Sequence, residues 1–354
     1  MGWDVIGHEW AARLLKRRIS RQQVGHAYLL TGPKGVGRCM MALQFAQALN
    51  CLQPPEPGQP CGVCRVCKQI AQMQHPDLSV VQAENEGGTL KVEQVRSLQH
   101  TLSLSPYEAR YRVALLLRFE EANANAQNAL LKTLEEAPPR VILILTADNA
   151  ENLLPTIVSR CEVLRLRPLP VEQLQLELGK RQVEPNLARL LAHLSGGRLG
   201  YALNLLSSPA ALEHRRTLLD DMVRLLGATR RERFAYAELI SKDREALRKA
   251  YLTWLSFWRD LVLRIVAAET PLVNLDMQDT LDLLARRISL PVACARIADL
   301  ERAVRRLEAN LNPRLLTEVL LLDWPRIETT YLLTSPTQPM AARNVRASSP
   351  NSQV

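Results

Sequence analysis

The chain is poor in aromatic residues, which make up 5% of its 354 positions. Proteins that hold single strands stack bases on aromatic side chains, so this composition argues against such a platform. Long apolar runs are missing as well. VILIL (141–145) and EVLLLDW (318–324) fall far short of the roughly 20 residues a helix needs to span a bilayer. The opening stretch, MGWDVIGHEWAARLLKRR, has no apolar segment followed by a small-residue cleavage site, which argues against a secretory signal. Met1-Gly2 would suit myristoylation only with Ser or Thr at position 6, where Ile6 stands. A soluble, cytoplasmic chain is the expectation.

What is present in excess is positive charge. Lys and Arg outnumber Asp and Glu, 45 to 36, for a net charge of +9 and a pI near 9.4. That balance suits a polyanionic neighbour, nucleic acid above all, and is equally met on a basic surface with no such role. The length accommodates two or three domains, each with its own core.

Four of the seven cysteines fall in NCLQPPEPGQPCGVCRVC, a C-x9-C-x2-C-x2-C pattern. Cys61, Cys64 and Cys67 lie on a tight glycine-containing turn, and Cys51 would complete a tetrahedron across a Pro-rich loop. Four thiolates match structural Zn²⁺ and leave no position for water. Disulfides and a redox C-x2-C are the alternatives, the first of which needs an oxidising compartment. Cys39, Cys161 and Cys294 are isolated and read as packed.

Periodicity predicts strands at 27–31, 78–82, 111–117 and 140–147, with helices at 9–20, 39–50, 91–104 and in NANAQNALLKTLEEAPP. A short helix is expected near 151–158, ahead of EVLRLRPL. Apolar strands alternating with helices indicate a parallel sheet covered on both faces, over residues 1–168. The pattern then turns helical: a small domain at 169–207, a hinge at Ser207, Ser208 and Pro209, and a longer helical domain to 330. Residues 331–354 are polar and Pro/Ser-rich and read as a disordered tail.

TGPKGVGRCM (31–40) has the G-x4-G spacing of a phosphate loop between a strand and a helix. Gly32, Gly35 and Gly37 retain the backbone turn that cradles phosphate. The Lys that reaches the β/γ-phosphates is replaced by Arg38, whose planar head is not equivalent. The hydroxyl that ligates Mg²⁺ is replaced by Cys39, whose soft sulfur suits a hard cation poorly. A hydrolase also needs an acidic pair at the end of its third core strand. That strand ends at Leu117-Arg118, and Glu120 and Glu121 come late, as acids leading the next helix.

NALLKTLEEAPP (128–139), SRC (159–161), the four-cysteine insert and ANLNPRLLTEVLLL (309–322) together resemble the bacterial clamp-loader ATPase group, over about residues 3–325. Within it, the altered loop resembles the non-hydrolysing stator subunit rather than the gamma/tau ATPase. The resemblance implies an α/β AAA+-like parallel sheet domain with a zinc insert, then a small helical lid and an all-α collar at 208–330. It implies a hetero-pentameric ring with gamma/tau and delta subunits that places a sliding clamp on primed DNA. Arg160, with Ser159 and Cys161 in SRC, would be the arginine finger offered to the neighbouring gamma ATP. Without the family, Arg160 reads as a salt-bridged arginine at a strand start. Val5, Ile6 and Gly7 resemble the adenine-pocket segment, Thr146 the first sensor and Arg198 the second. Lys132 and Glu135, at i and i+3, are expected in packing and ring contacts. Whether ATP or ADP binds without being hydrolysed stays open. An active gamma-type ATPase and a free-standing zinc protein that binds nucleic acid are the rival functions.

Overall fold

The computed structural model describes residues 2–85, 87–309 and 311–327. The tail expected at 331–354 lies outside them. The chain divides into two compact units, one ending at Pro209 and the next beginning at Ala210.

The first unit carries β1 (Ala27–Thr31), β2 (Leu78–Val81), β3 (Arg112–Leu116), β4 (Val141–Ala147) and β5 (Glu162–Arg165). Its helices are α1 (Glu9–Ser20), α2 (Arg38–Asn50), α3 (Arg65–Ala71), α4 (Val92–Leu102), α5 (Ala124–Glu135), α6 (Pro155–Val158), α7 (Val171–Lys180), α8 (Pro185–Ser195) and α9 (Leu199–Ser207). The strands are parallel, in the order β2-β3-β4-β1-β5. Every residue of β1, β3 and β4 is buried, as expected for central strands covered on both faces. Side chains alternate between those faces. Tyr28, Leu30, Val113, Leu115, Ile142 and Ile144 pack with residues of α1 and α2. Ala27, Leu29, Ala114, Leu116, Leu143 and Leu145 pack with α4 and α5.

Local chemistry sets the helix ends. Asn123 caps α5 by accepting from the Ala126 amide at 2.8 Å. Gly196 ends α8 in the left-handed conformation, φ 56°, which glycine adopts without strain. Two elements differ from expectation. The helix foreseen near 151–158 is a 3₁₀ turn, Ala150–Asn152, followed by α6. Pro155 opens α6 and holds the residue before it out of the helical region. Helix α3, inside the cysteine insert, was not foreseen; at seven residues it is too short to show periodicity.

The second unit contains α10 (Pro209–Gly227), α11 (Arg230–Ile240), α12 (Arg244–Ile265), α13 (Gln278–Ala285), α14 (Leu290–Glu308) and α15 (Pro313–Leu322). Its core takes three of the five tryptophans. Trp254 meets Trp324 edge-on at 5.2 Å, and Trp258 lies 6.2 Å from Trp324. The buried Arg233 donates to the carbonyls of Leu225, Leu321 and Trp324 at 2.8–3.0 Å, joining the ends of α10 and α15. The scarce aromatics thus build a core. Among the described residues no helix is long and apolar enough to cross a membrane.

Candidate functional site

The loop between β1 and α2 keeps its glycine conformations. Gly32, Gly35 and Gly37 have φ of 146°, 84° and 112°, where side chains are strained. The space beside Gly32 and Gly35 is filled, while a Cβ on Gly37 would meet only His8, at 3.9 Å. The Gly200 amide donates to the Gly35 carbonyl at 2.9 Å, and a Cβ on Gly35 would lie 2.8 Å from the Tyr201 nitrogen. His8 places Nε2 3.0 Å from the Val36 carbonyl. The start of α9 and the segment ahead of α1 therefore close on the loop. A cavity of about 610 Å³ beside Gly7, Arg165 and Gln173 takes no lining residue from the loop glycines.

Arg38 occupies the first position of α2 and is 8% exposed. Its Nη2 meets Asp148 Oδ1 at 2.7 Å and its Nη1 lies 3.9 Å from Glu120 Oε1. A buried charge needs such partners. The guanidinium is thus paired with Asp148 just after β4, with Glu120 at the limit of ion-pair distance and Nη1 without a hydrogen-bond partner among the described residues. Burial first, and then the nearby Asp148, push the Glu120 carboxyl up to about 7, against the pull of Arg38.

The acids after β3 do not simply lead the next helix, as the sequence suggested. They form a 3₁₀ turn, Phe119–Glu121, and Asn123 caps α5 instead. Glu120 faces Arg38, while Glu121 accepts from the Gly87 amide and from Arg118 Nε, both at 2.9 Å. Thr146 is buried in β4 and accepts from the Arg118 amide at 2.9 Å, which ties its hydroxyl to the end of β3. Cys39 is half-buried, and burial raises its thiol.

The other residues expected at a nucleotide site, Arg198, Val5, Ile6 and Gly7, lie in local packing or hydrogen bonds. Arg198 donates Nε to the Ser195 carbonyl at 2.6 Å and lies 4.6 Å from the Tyr201 ring centre. Val5 is buried. Ile6 is half-buried, and the Gly7 amide donates to Glu9 at 2.9 Å. A Cβ on Gly7 would come within 2.1 Å of the Leu169 side chain.

Arg160 lies in the turn between α6 and β5, 35% exposed. Its Nη2 donates to Glu135 Oε1 at 2.6 Å and its Nη1 to the Thr156 carbonyl at 3.0 Å. Ser159 Oγ is 3.5 Å from Nη1, and Cys161 is half-buried with its thiol pushed up to about 12 by burial. Glu135 has a specific partner that helical spacing alone did not reveal: NALLKTLEE and SRC meet in space.

The sulfurs of Cys51, Cys61, Cys64 and Cys67 lie within 4.8 Å of one another. None of the four is in a disulfide. The Cys61 and Cys67 sulfurs are 3.9 Å apart, close to the spacing of about 3.8 Å that tetrahedral bonds of about 2.3 Å to zinc require. Amides of Cys61, Cys64 and Cys67 point at the sulfurs of Cys51, Cys61 and Cys64 at 3.3–3.4 Å. Such donors favour thiolate over thiol. The cluster fits a four-coordinate metal.

Asp148, His8 and Tyr201 were missed in the sequence. Asp148 was accessible in principle, since it directly follows β4 at the carboxyl ends of the strands, where ligands of open α/β sheets bind. His8 and Tyr201 approach the loop from segments about 30 and 170 residues away in a fold no local pattern describes.

Comparison with known proteins agrees with this architecture. Residues 7–170 match the family model "DNA polymerase III, delta subunit", and residues 209–326 match "DNA polymerase III, delta subunit, C terminal". The DNA polymerase III subunit delta' of Pseudomonas aeruginosa is 31% identical over 90% of this chain and 97% of its own length. The chain belongs to the DNA polymerase III delta' subunit family. The delta' subunit of Bacillus subtilis is 28% identical over 88% of this chain and 94% of its own. The tau subunit of Escherichia coli is 36% identical over 57% of this chain and 32% of its own. The chain therefore combines the AAA+-like fold of the clamp-loader family with a glycine loop whose Arg38 faces carboxylates of its own unit.

Proposed function

We propose that this delta' chain is the non-hydrolysing stator of a hetero-pentameric clamp loader, assembled with gamma/tau and delta subunits, that places a sliding clamp on primed DNA. In this reading residues 1–168 form the rigid AAA+-like body, 169–207 the lid, and 208–330 the collar that joins the ring. The observation that carries the proposal is the pairing of Arg38 with Asp148 and Glu120. A loop whose cation is neutralised internally, with Cys39 where a hydroxyl belongs, is poorly built to hold Mg·ATP. The chemistry then falls to Arg160. A guanidinium offered in trans stabilises negative charge developing on a neighbour's γ-phosphate.

Residues Cys51, Cys61, Cys64 and Cys67 would hold one structural Zn²⁺, bracing an insert with little core of its own. Metal analysis of the purified chain should find about one zinc per chain, and a folded, metal-free protein would refute the four-thiolate site.

The decisive experiment uses the reconstituted ring. Arg160→Ala should lower clamp- and DNA-stimulated ATP turnover by about 10³-fold with assembly intact. Unchanged turnover sinks the finger. ATP hydrolysis by the chain alone, abolished by Arg38→Ala, would favour a gamma-type ATPase instead.

A further inference from the structure

We propose that Glu135 is a positioning residue for Arg160, fixing the direction in which the guanidinium leaves the α/β unit. The inference rests on the trans role proposed for Arg160 and deepens it.

Glu135 is the last residue of α5. Its carboxylate meets Arg160 Nη2 at 2.6 Å across 25 residues of sequence. The Thr156 carbonyl holds Nη1 at 3.0 Å, with Ser159 Oγ at 3.5 Å. The guanidinium is thus gripped from two sides, by the end of α5 and by α6 with the turn that follows it. A guanidinium carries five N–H donors, so these contacts leave capacity for an incoming anion.

The ion pair is half in water, with the two side chains 35% and 51% exposed. Pairs of that kind contribute little to stability, because solvent screens them and ordering two long side chains costs entropy. What the pair does supply is direction. An arginine otherwise enters an interface as a mobile side chain and loses its rotamer freedom on docking. Glu135 has it ordered beforehand, and preorganised charge is what electrostatic catalysis requires. When a neighbouring subunit covers the pair, its loss of water strengthens the attraction.

The carboxylate also opposes an approaching phosphate through its charge. Two substitutions separate the two effects. Glu135→Gln removes the charge and keeps an oxygen that accepts from Nη2, whereas Glu135→Ala removes both.

The test measures clamp- and DNA-stimulated ATP turnover in the reconstituted ring of full-length chains, with assembly read separately by size-exclusion chromatography. Glu135→Ala should lower kcat about 10-fold, the loss expected from misplacing a catalytic group by a fraction of an ångström, with KM for ATP unchanged. Glu135→Gln should stay within about 2-fold of the parent, because the oriented hydrogen bond survives. The double variant Glu135→Ala/Arg160→Ala should be no slower than Arg160→Ala, since Glu135 acts through Arg160.

If Glu135→Ala turns over like the parent while Arg160→Ala is impaired, positioning is overturned and the finger stands. If Arg160→Ala is unimpaired, both readings fall. Faster turnover in both Glu135 variants would mean that the carboxylate only opposes the phosphate. An additive double variant, or a Glu135→Ala chain that no longer enters the ring, would assign Glu135 an independent role and likewise overturn the proposal.

Discussion

Arg38 and Arg160 carry the same chemical group in two regions of one unit, in opposite surroundings. Arg38 is buried at the head of α2, against Asp148 and with Glu120 nearby. Arg160 stands at the edge, about a third exposed, with one carboxylate partner. A buried guanidinium must be neutralised, and once it is, little attraction for an outside phosphate remains. An exposed one keeps its field and its spare donors. The difference teaches that a motif's cation is no guide to its ligand until the acids around it are known.

The largest effect expected from this contrast is on turnover of the reconstituted ring. Arg160→Ala should cost about 10³-fold, while Arg38→Ala should change the rate by less than about 2-fold, since the two arginines share no ion-pair partner. Equal losses would erase the distinction. For stability the order reverses. Arg38→Ala strips Glu120 and Asp148 of their counter-charge and should cost about 1–3 kcal/mol, below the range for a fully buried pair because Asp148 is half exposed. Arg160→Ala should cost under about 1 kcal/mol. Urea unfolding of the two variants tests this pair of values.

A smaller effect concerns pH. The Glu120 carboxyl is raised from 4.5 to about 7 in the fold, so the folded state binds its proton more tightly than the unfolded chain. Its contribution to stability is fully present below pH 4.5 and is lost as pH rises to about 7. Glu120→Gln should flatten the fall in stability across that window. Should the slope persist, another group carries it. The smallest effect is expected from Arg38→Lys/Cys39→Thr, which restores the usual loop residues. Tyr201 and Gly200 still close on Gly35, so titration with a fluorescent ATP analogue should show no saturable binding. Saturable binding would mean that the two side chains, and not the packing, set the loop's state.

Much of the fold is legible in the residues because its causes are local. The VILILTA run marks a strand buried on both faces, and all seven residues are buried in β4. Two prolines after NALLKTLEEA mark the end of α5, which closes at Glu135 just ahead of them. The C-x9-C-x2-C-x2-C spacing brings four sulfurs together. The short helix α3 carries no start signal in the sequence, since its cap is Cys64, a residue type that rarely begins a helix. The acids after β3 were misjudged for a different reason. Counting residues from the strand end places Glu120 late, yet a left-handed Arg118, φ 49°, turns the chain back and brings that carboxylate toward Arg38.

By itself the sequence determined the alternation of strands and helices, the four-cysteine cluster, and the Arg and Cys at positions 38 and 39 of the glycine loop. These depend on side-chain type and on spacing along the chain. Only the tertiary structure decided where the two arginines point. Asp148, Glu120 and Glu135 reach them from other elements, and Coulomb attraction depends on distance through space and on the water left between the charges. Neither quantity is written in residue order.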